Sequence, residues 1–146
     1  MSDFTTEIKI DAPVDRVWDT LADIGSIHEW NPGVKQSHIT TRYQEGLGAG
    51  RHCDLGEKRY LDETVVDWEP HQRLTMRIVA TNLPLKTADI RFALRPAGGG
   101  TIVTVSPTYK VKFGLLGTLL DWLFVRRTYL KGMRALLLGL KKHVEG

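Results

Sequence analysis

The chain has 146 residues, 42% of them hydrophobic and 25% charged, with a formal net charge of +3. This length and composition are typical of one soluble globular domain, which we place at residues 1–146. The single cysteine, Cys53, excludes an internal disulfide. The longest nearly apolar run, residues 113–125, contains Asp121 and is too short to span a bilayer, so we expect no stable membrane insertion. The N-terminus lacks the basic start and apolar core of a signal peptide, and we expect a cytoplasmic protein.

The charge is unevenly distributed along the chain. Residues 107–146 contain eight lysines and arginines and two acidic residues, whereas residues 1–106 contain twelve basic and fifteen acidic residues. A basic C-terminal segment can attract a membrane surface or nucleic acid. The solvated face of one helix explains it more simply. The basic residues are not accompanied by exposed aromatic residues on the predicted strands, so we expect no nucleic-acid partner.

The N-terminal third predicts one strand and two short helices. Residues 4–11 alternate between apolar and polar side chains, which indicates a strand with one buried face. Pro13 fits the first turn of a helix over 13–23, because its missing N–H has no partner there. A second short helix over 24–30 is expected to end before Pro32, since the residue before a proline avoids the helical conformation.

The rest of the chain predicts an antiparallel sheet followed by one long helix. A period of two indicates six strands, at 34–41, 51–55, 59–68, 73–81, 86–95 and 101–111. Their connections are short, which favours antiparallel neighbours. Apolar residues at steps of three and four predict a helix over 118–145, about 40 Å long. A helix of this length needs a long apolar surface, and the curved sheet is the candidate.

This order of elements resembles the helix-grip fold of the START-like superfamily (SRPBCC), which includes the birch-pollen-allergen-like proteins and the polyketide cyclase/dehydrase and lipid-transport family. Four segments carry the resemblance: IDAPVDRVWDTLADIGSIHEWNPGV, GAGRHCDL, ETVVDWEP, and GLLGTLLDWLFVRRTYLKGMRALLLGLKKHVE at the C-terminal end. The resemblance implies an α+β fold in which a seven-stranded curved antiparallel sheet wraps around the long C-terminal helix. Two short helices follow the first strand, and Trp18 is expected in the core.

A sheet that curves around a helix leaves a cavity, and such cavities bind small apolar molecules through a few polar groups. Trp30 either packs in the core or lines one end of this cavity. Gly132 matters because a residue without a side chain leaves room on the helix. The predicted ligand-binding lining consists of Trp30, Arg51, Cys53, Leu55, Glu63, Val65, Met76, Ile78, Ala88, Ile90, Phe92, Val105, Tyr109, Tyr129, Gly132, Met133 and Leu136.

Two charged residues stand on these otherwise apolar inward rows. Arg51 shares parity with Cys53, and Glu63 shares parity with Val65. In the plant hormone receptors of the superfamily, a matching glutamate holds the polar end of the ligand through water, and the resemblance implies the same role for Glu63. A structural bridge to Arg51 without any catalytic task is the other interpretation. Alternation places His52, Asp54 and Tyr60 on the opposite, solvated face.

The sequence contains no motif for a metal, a nucleotide or a nucleophile elbow, so we expect neither a cofactor nor a metal. The first functional hypothesis is a carrier or sensor that binds a lipid, polyketide or isoprenoid-like ligand, as a monomer or homodimer. The second is a polyketide cyclase/dehydrase-type enzyme, in which Glu63 moves a proton while Arg51 or Tyr109 stabilises an enolate. The third is docking on a membrane or a partner through the basic C-terminal helix and its apolar approach, residues 113–127.

Overall fold

The computed structural model describes residues 2–120 and 124–146. Its strands are β1 (Ser2–Asp3), β2 (Thr6–Ile10), β3 (Gln36–Ile39), β4 (Gly50–Gly56), β5 (Arg59–Glu69), β6 (Arg73–Thr81), β7 (Leu85–Ala97) and β8 (Gly100–Val111). They form one antiparallel sheet in the order β3-β4-β5-β6-β7-β8, and β1 and β2 both pair with the outer edge of β8. The strand predicted at residues 4–11 corresponds to β2, and β1 is a separate short strand before it that the alternation did not indicate. Counted by position, the described sheet has seven strands, as predicted.

Irregular pairing gives the sheet its curvature. The register between β5 and β6 shifts between Asp62 and Glu63 and again between Val65 and Asp67, and β4 carries a further shift near Asp54. An extra residue in one strand bends it and increases its twist. These shifts allow the middle of the sheet to bend around a helix on its concave side, which agrees with the predicted helix-grip fold.

The two short helices lie where the sequence places them. Helix α1 (Val14–Ala22) follows Pro13, which is itself extended with φ −68° and ψ 158°. A 3-10 helix (Ile24–Glu29) follows directly, and the chain leaves it before Pro32. Trp18 of α1 is buried, with its ring edge-on to Trp68 at a centroid distance of 5.1 Å. Its predicted core position is therefore confirmed.

The C-terminal helical region begins earlier than predicted. The described parts of this region are α2 (Gly114–Leu120) and α3 (Arg126–Glu145); residues 121–123, with Asp121, lie outside the described residues. Phe113 and Gly114 have φ values of 78° and 55°, so the chain turns out of β8 through two left-handed residues. Glycine adopts this conformation freely, whereas an aromatic residue does so only under strain. The apolar periodicity beyond residue 118 could not indicate this early turn.

The C-terminal half of α3 closes the core. Leu136, Leu137, Leu140 and Val144 are buried against the sheet and the short helices. A Cβ on Gly139 would fall 2.0 Å from the backbone oxygen of Trp30, so the helix and the 30–34 loop are in backbone contact. Full burial of an apolar side chain of this size contributes about 1.5–3 kcal/mol. This half of α3 is therefore firmly held on the concave face.

Candidate functional site: a cavity between the sheet and α3

A cavity of about 430 Å³ lies between the concave face of strands β4 to β7 and helix α3. This volume is within the usual range for sites that bind small molecules, roughly 300–1,000 Å³. Aliphatic and aromatic side chains form most of its wall. Among the predicted site residues, Arg51, Cys53, Leu55, Glu63, Ile78, Ile90, Phe92, Tyr129, Gly132, Met133 and Leu136 line this cavity.

Five predicted lining residues lie in the packed core instead. Each is almost completely buried: Val65, Met76 and Val105 pack in the main hydrophobic cluster, and Ala88 and Tyr109 face each other across β7 and β8. Tyr109 lies against Tyr129, with the two rings stacked at a centroid distance of 4.7 Å, so Tyr129 is the tyrosine of this pair that lines the cavity. The displaced residues are Val65, Met76, Ala88, Val105 and Tyr109.

Trp30 is also absent from the cavity wall. Its side chain is buried, and the residue borders a separate groove of about 550 Å³ between the 30–34 loop and the outer side of α3. The backbone contact with Gly139 fixes this position. Of the two interpretations of Trp30 from the sequence, core packing is therefore the one that the structure supports.

The sequence interpretation missed three parts of the wall. Loop residues around Asn31 and Pro84 could not be found from periodicity, because loops have none. Val125, which immediately precedes α3, and Thr128 on α3 stand four residues before Tyr129 and Gly132, so helical spacing predicts both. The missed lining residues are Ile27, Asn31, Gly33, Val34, Arg59, Leu83, Pro84, Leu85, Phe124, Val125 and Thr128.

Arg51 and Glu63 form a buried ion pair in the cavity wall. They face each other in register on β4 and β5, and both side chains are 5% exposed or less. The Nε of Arg51 donates to Oε1 of Glu63 at 2.9 Å, and its Nη1 donates to the backbone oxygen of Ile24 at 3.1 Å. The bridge predicted as one of two interpretations is therefore present. Because each charge offsets the other, their contact lowers the cost of placing both side chains in a poorly solvated wall.

Two further polar groups surround Glu63. The thiol of Cys53 donates to Glu63 Oε1 at 3.8 Å, and burial, together with the Glu63 charge, raises the pKa of this thiol to about 12, although Arg51 opposes the shift. Burial raises the pKa of Tyr129 as well, with a further contribution from the charge of Glu63. Both groups therefore stay protonated at neutral pH and can act as hydrogen-bond donors. The bonds from Arg51 and Cys53 both use Oε1, so within residues 2–120 and 124–146 Oε2 keeps its acceptor capacity for a bound molecule.

The opposite face of β4 and β5 has a different character. His52 Nδ1 and Asp62 Oδ1 are 2.5 Å apart, and Tyr60 stacks on the imidazole ring of His52. These side chains are partly exposed, which confirms that alternation sends them to the convex face. Among the described residues, no group of three or more metal-ligating side chains comes together.

A curved antiparallel sheet closed by a C-terminal helix over an apolar cavity defines the helix-grip class of protein. The family model described as "Polyketide cyclase / dehydrase and lipid transport" matches residues 1–145, and the chain belongs to this family. The family and fold expected from the sequence motifs are therefore confirmed.

Solved structures repeat the same fold at low sequence identity. TTHA0849 from Thermus thermophilus is 22% identical, with a TM-score of 0.81 and coverage of 98% of this chain and 97% of its own. A START superfamily protein from Mycobacterium smegmatis is 17% identical, with the same TM-score and coverage. Major latex-like protein 151 from Panax ginseng is 13% identical, with a TM-score of 0.75 and coverage of 97% and 96%. No curated protein matches the chain significantly. No helix in the described residues is long and apolar enough to cross a membrane.

Proposed function

We propose that the protein binds a small, largely hydrophobic ligand in the cavity between the sheet and α3 and acts as a carrier or sensor. The observation that carries this proposal is an apolar cavity of about 430 Å³ with a buried, mutually neutralised Arg51–Glu63 pair in its wall. Burial of a ligand's apolar surface against such a wall is favourable, and the wall also offers a few fixed polar contacts. A lipid, polyketide or isoprenoid-like molecule with one hydroxyl or carbonyl group has the matching chemistry.

The polar groups of the wall favour binding over proton transfer. Glu63 is engaged with Arg51, while Cys53 and Tyr129 hold their protons at neutral pH. A general acid or base works best when its pKa lies near the working pH, and neither the thiol nor the phenol meets this condition. Tyr109, the other enolate-stabilising candidate, lies outside the cavity wall. The enzyme hypothesis consequently depends on Glu63 as its acid or base, with Arg51 as the remaining enolate-stabilising candidate.

The pair also indicates how the ligand is oriented. Glu63 Oε2 can accept a hydrogen bond from a hydroxyl group, and the Tyr129 hydroxyl can donate one to a carbonyl group. The apolar part of the ligand then extends along Ile78, Ile90 and Phe92. We expect the protein to exchange such a ligand in the cytoplasm, where the free thiol of Cys53 stays reduced.

The test combines ligand identification with one substitution. Native mass spectrometry of the purified protein identifies a co-purifying molecule, and displacement of 1-anilinonaphthalene-8-sulfonate by that molecule measures its affinity. Glu63→Gln should weaken binding by about tenfold, the value of one hydrogen bond to a charged group. Glu69→Gln, on the exposed end of the same strand, should leave affinity unchanged.

Turnover of a β-keto thioester, followed in the same variants, separates the two hypotheses. Weaker binding with no turnover in either protein supports a carrier or sensor. Wild-type turnover that disappears in Glu63→Gln while affinity survives would overturn the proposal in favour of an enzyme. Thermal unfolding of each variant checks that the fold is retained.

A further inference from the structure

A cluster of large apolar side chains is exposed around α2. Leu115 is 91% exposed, and its four neighbours in the cluster are between 53% and 66% exposed. Soluble domains rarely leave contiguous apolar side chains in water, and such patches mark interaction surfaces. We call this cluster the α2 patch; it consists of Phe113, Leu115, Leu116, Leu119 and Phe124.

The backbone of α2 explains why its leucines face solvent. The buried residue of this helix is Gly117, and a Cβ at that position would lie 1.8 Å from the backbone oxygen of Lys112. The helix therefore rests on the preceding chain through a glycine, and no leucine can take that side. The left-handed Phe113–Gly114 turn sets this orientation. The path of the backbone therefore keeps the leucines of the patch exposed.

Basic side chains flank the patch on both sides along the chain. Lys110 and Lys112 precede it and Arg126 and Arg127 follow it, and all four are exposed. From Lys110 to Arg134 the sequence has six basic residues and one acidic residue, Asp121. An anionic surface therefore complements this region in charge, and a short range of attraction is expected at physiological salt.

The patch also borders the cavity. Phe124 belongs to the patch and to the cavity wall, and Val125 and Thr128 continue the wall along the start of α3. On the sheet side, the backbone N–H of Lys112 donates to the oxygen of Pro84, which also lines the cavity. The exposed apolar surface and the apolar cavity thus meet at one end of the molecule.

We propose that the α2 patch docks on an anionic lipid bilayer, with the leucines in the headgroup–acyl boundary and the flanking basic residues on the headgroups. A second copy of the chain is disfavoured, because a two-fold contact through the same patch would bring like charges together. Interfacial helices use this same combination of apolar and basic side chains. The proposal is independent of the ligand in the cavity.

Vesicle co-sedimentation tests the proposal with the full chain. The protein should sediment with phosphatidylcholine vesicles that contain about 30% phosphatidylglycerol and not with pure phosphatidylcholine, and binding should fall as sodium chloride is raised. Arg126→Gln with Arg127→Gln should weaken binding by roughly 25-fold, about fivefold for each residue. Leu115→Ser with Leu119→Ser should weaken it by at least about tenfold.

Matched controls use exposed residues elsewhere. Leu47→Ser removes an exposed leucine outside the patch, and Arg42→Gln with Lys58→Gln removes two exposed positive charges. These variants should bind like the wild type. Equal binding to neutral and anionic vesicles, or equal losses in patch and control variants, would overturn the proposal. So would absence of vesicle binding together with a dimer, seen by size-exclusion chromatography, that the leucine substitutions dissociate. Leu115→Ser alone changes the most exposed side chain of the patch, which contributes least to the packing of the fold. Weaker vesicle binding in this variant therefore reports a binding defect and not misfolding.

Discussion

An ion pair, Arg51–Glu63, and a histidine–aspartate contact, His52–Asp62, lie one residue apart on the same two strands and have opposite surroundings. Arg51 and Glu63 face the cavity and are almost fully buried, while His52 and Asp62 face the convex side with about a third of each side chain exposed. Strand alternation alone produces this difference, since neighbouring residues point to opposite faces. The same kind of contact therefore serves different purposes: the outer pair is solvated, and the inner pair makes a charged group tolerable in an apolar wall.

The energetic difference between the pairs is large. Exposed ion pairs contribute about 0–1 kcal/mol, because water stabilises each charged group nearly as well as the oppositely charged side chain does. A buried pair adds little net stability as a pair, but removing one partner leaves an uncompensated charge that costs about 3–5 kcal/mol. Substitutions in the inner pair and in the outer pair therefore test the difference between the two faces.

The largest effect is expected from Glu63→Leu. This change leaves the Arg51 guanidinium buried with only the Ile24 carbonyl as its hydrogen-bond acceptor among the described residues. The free energy of unfolding should fall by about 3–5 kcal/mol, as measured by urea denaturation. A loss of less than about 1 kcal/mol in the free energy of unfolding would mean that water solvates the inner pair to the same extent as the outer pair.

The Cys53 thiol offers a second probe of the inner side. A pKa of about 12 instead of the ordinary 9.0 makes the thiolate about a thousandfold rarer at pH 8. A more basic thiolate is also more nucleophilic, so the rate of alkylation by iodoacetamide should fall by about thirtyfold or more relative to the unfolded chain. The rate should rise with pH up to about 12. Equal rates in the folded protein and in guanidinium chloride would contradict a desolvated wall.

Replacement of both inner partners should cost less than replacement of one. Arg51→Met combined with Glu63→Leu removes both charges, but it leaves the Ile24 carbonyl without its donor. We expect a net loss of about 1–2 kcal/mol in the free energy of unfolding, smaller than for Glu63→Leu alone. A double-mutant cycle by urea denaturation measures the coupling, and additive losses would argue against an energetically linked pair.

The smallest effect is expected from Asp62→Asn on the outer side. This change removes the negative charge beside His52 but leaves an oxygen that can still accept a hydrogen bond. The free energy of unfolding should change by less than about 1 kcal/mol. Displacement of 1-anilinonaphthalene-8-sulfonate by the cavity ligand should be unaffected. A loss as large as that of Glu63→Leu would remove the distinction between the two faces.

Much of the fold follows from the sequence because its periodicity is strong. The rows along β7 and β8 and the inward parity of Arg51 and Glu63 needed only alternation, and the structure agrees with both. Periodicity failed where backbone geometry decides. It missed the short strand β1, and it placed the start of the C-terminal helical region four residues late, because the Phe113–Gly114 turn has no apolar pattern.

The site was harder to predict than the fold. Parity tells which face a residue occupies but not how far along the strand the cavity extends, so Val65, Met76 and Val105 were assigned to the cavity although they fill the core. The loops at Asn31 and Pro84 reach the cavity only through tertiary packing. The shape of a cavity depends on what the neighbouring elements leave empty, and a single sequence does not encode that locally.

Gly132 has a consequence for selectivity. It lies on α3 in the cavity wall, and a Cβ added there would meet no atom within 4 Å. An alanine methyl group at this position therefore fits without displacing a neighbour and would remove the helix penalty of about 1 kcal/mol that glycine carries, and larger side chains are expected to reduce the cavity volume. A graded series of side chains at position 132 would shorten the longest molecule that fits. Position 132 thus provides one site at which the length of the accepted ligand can be varied by the size of a single side chain.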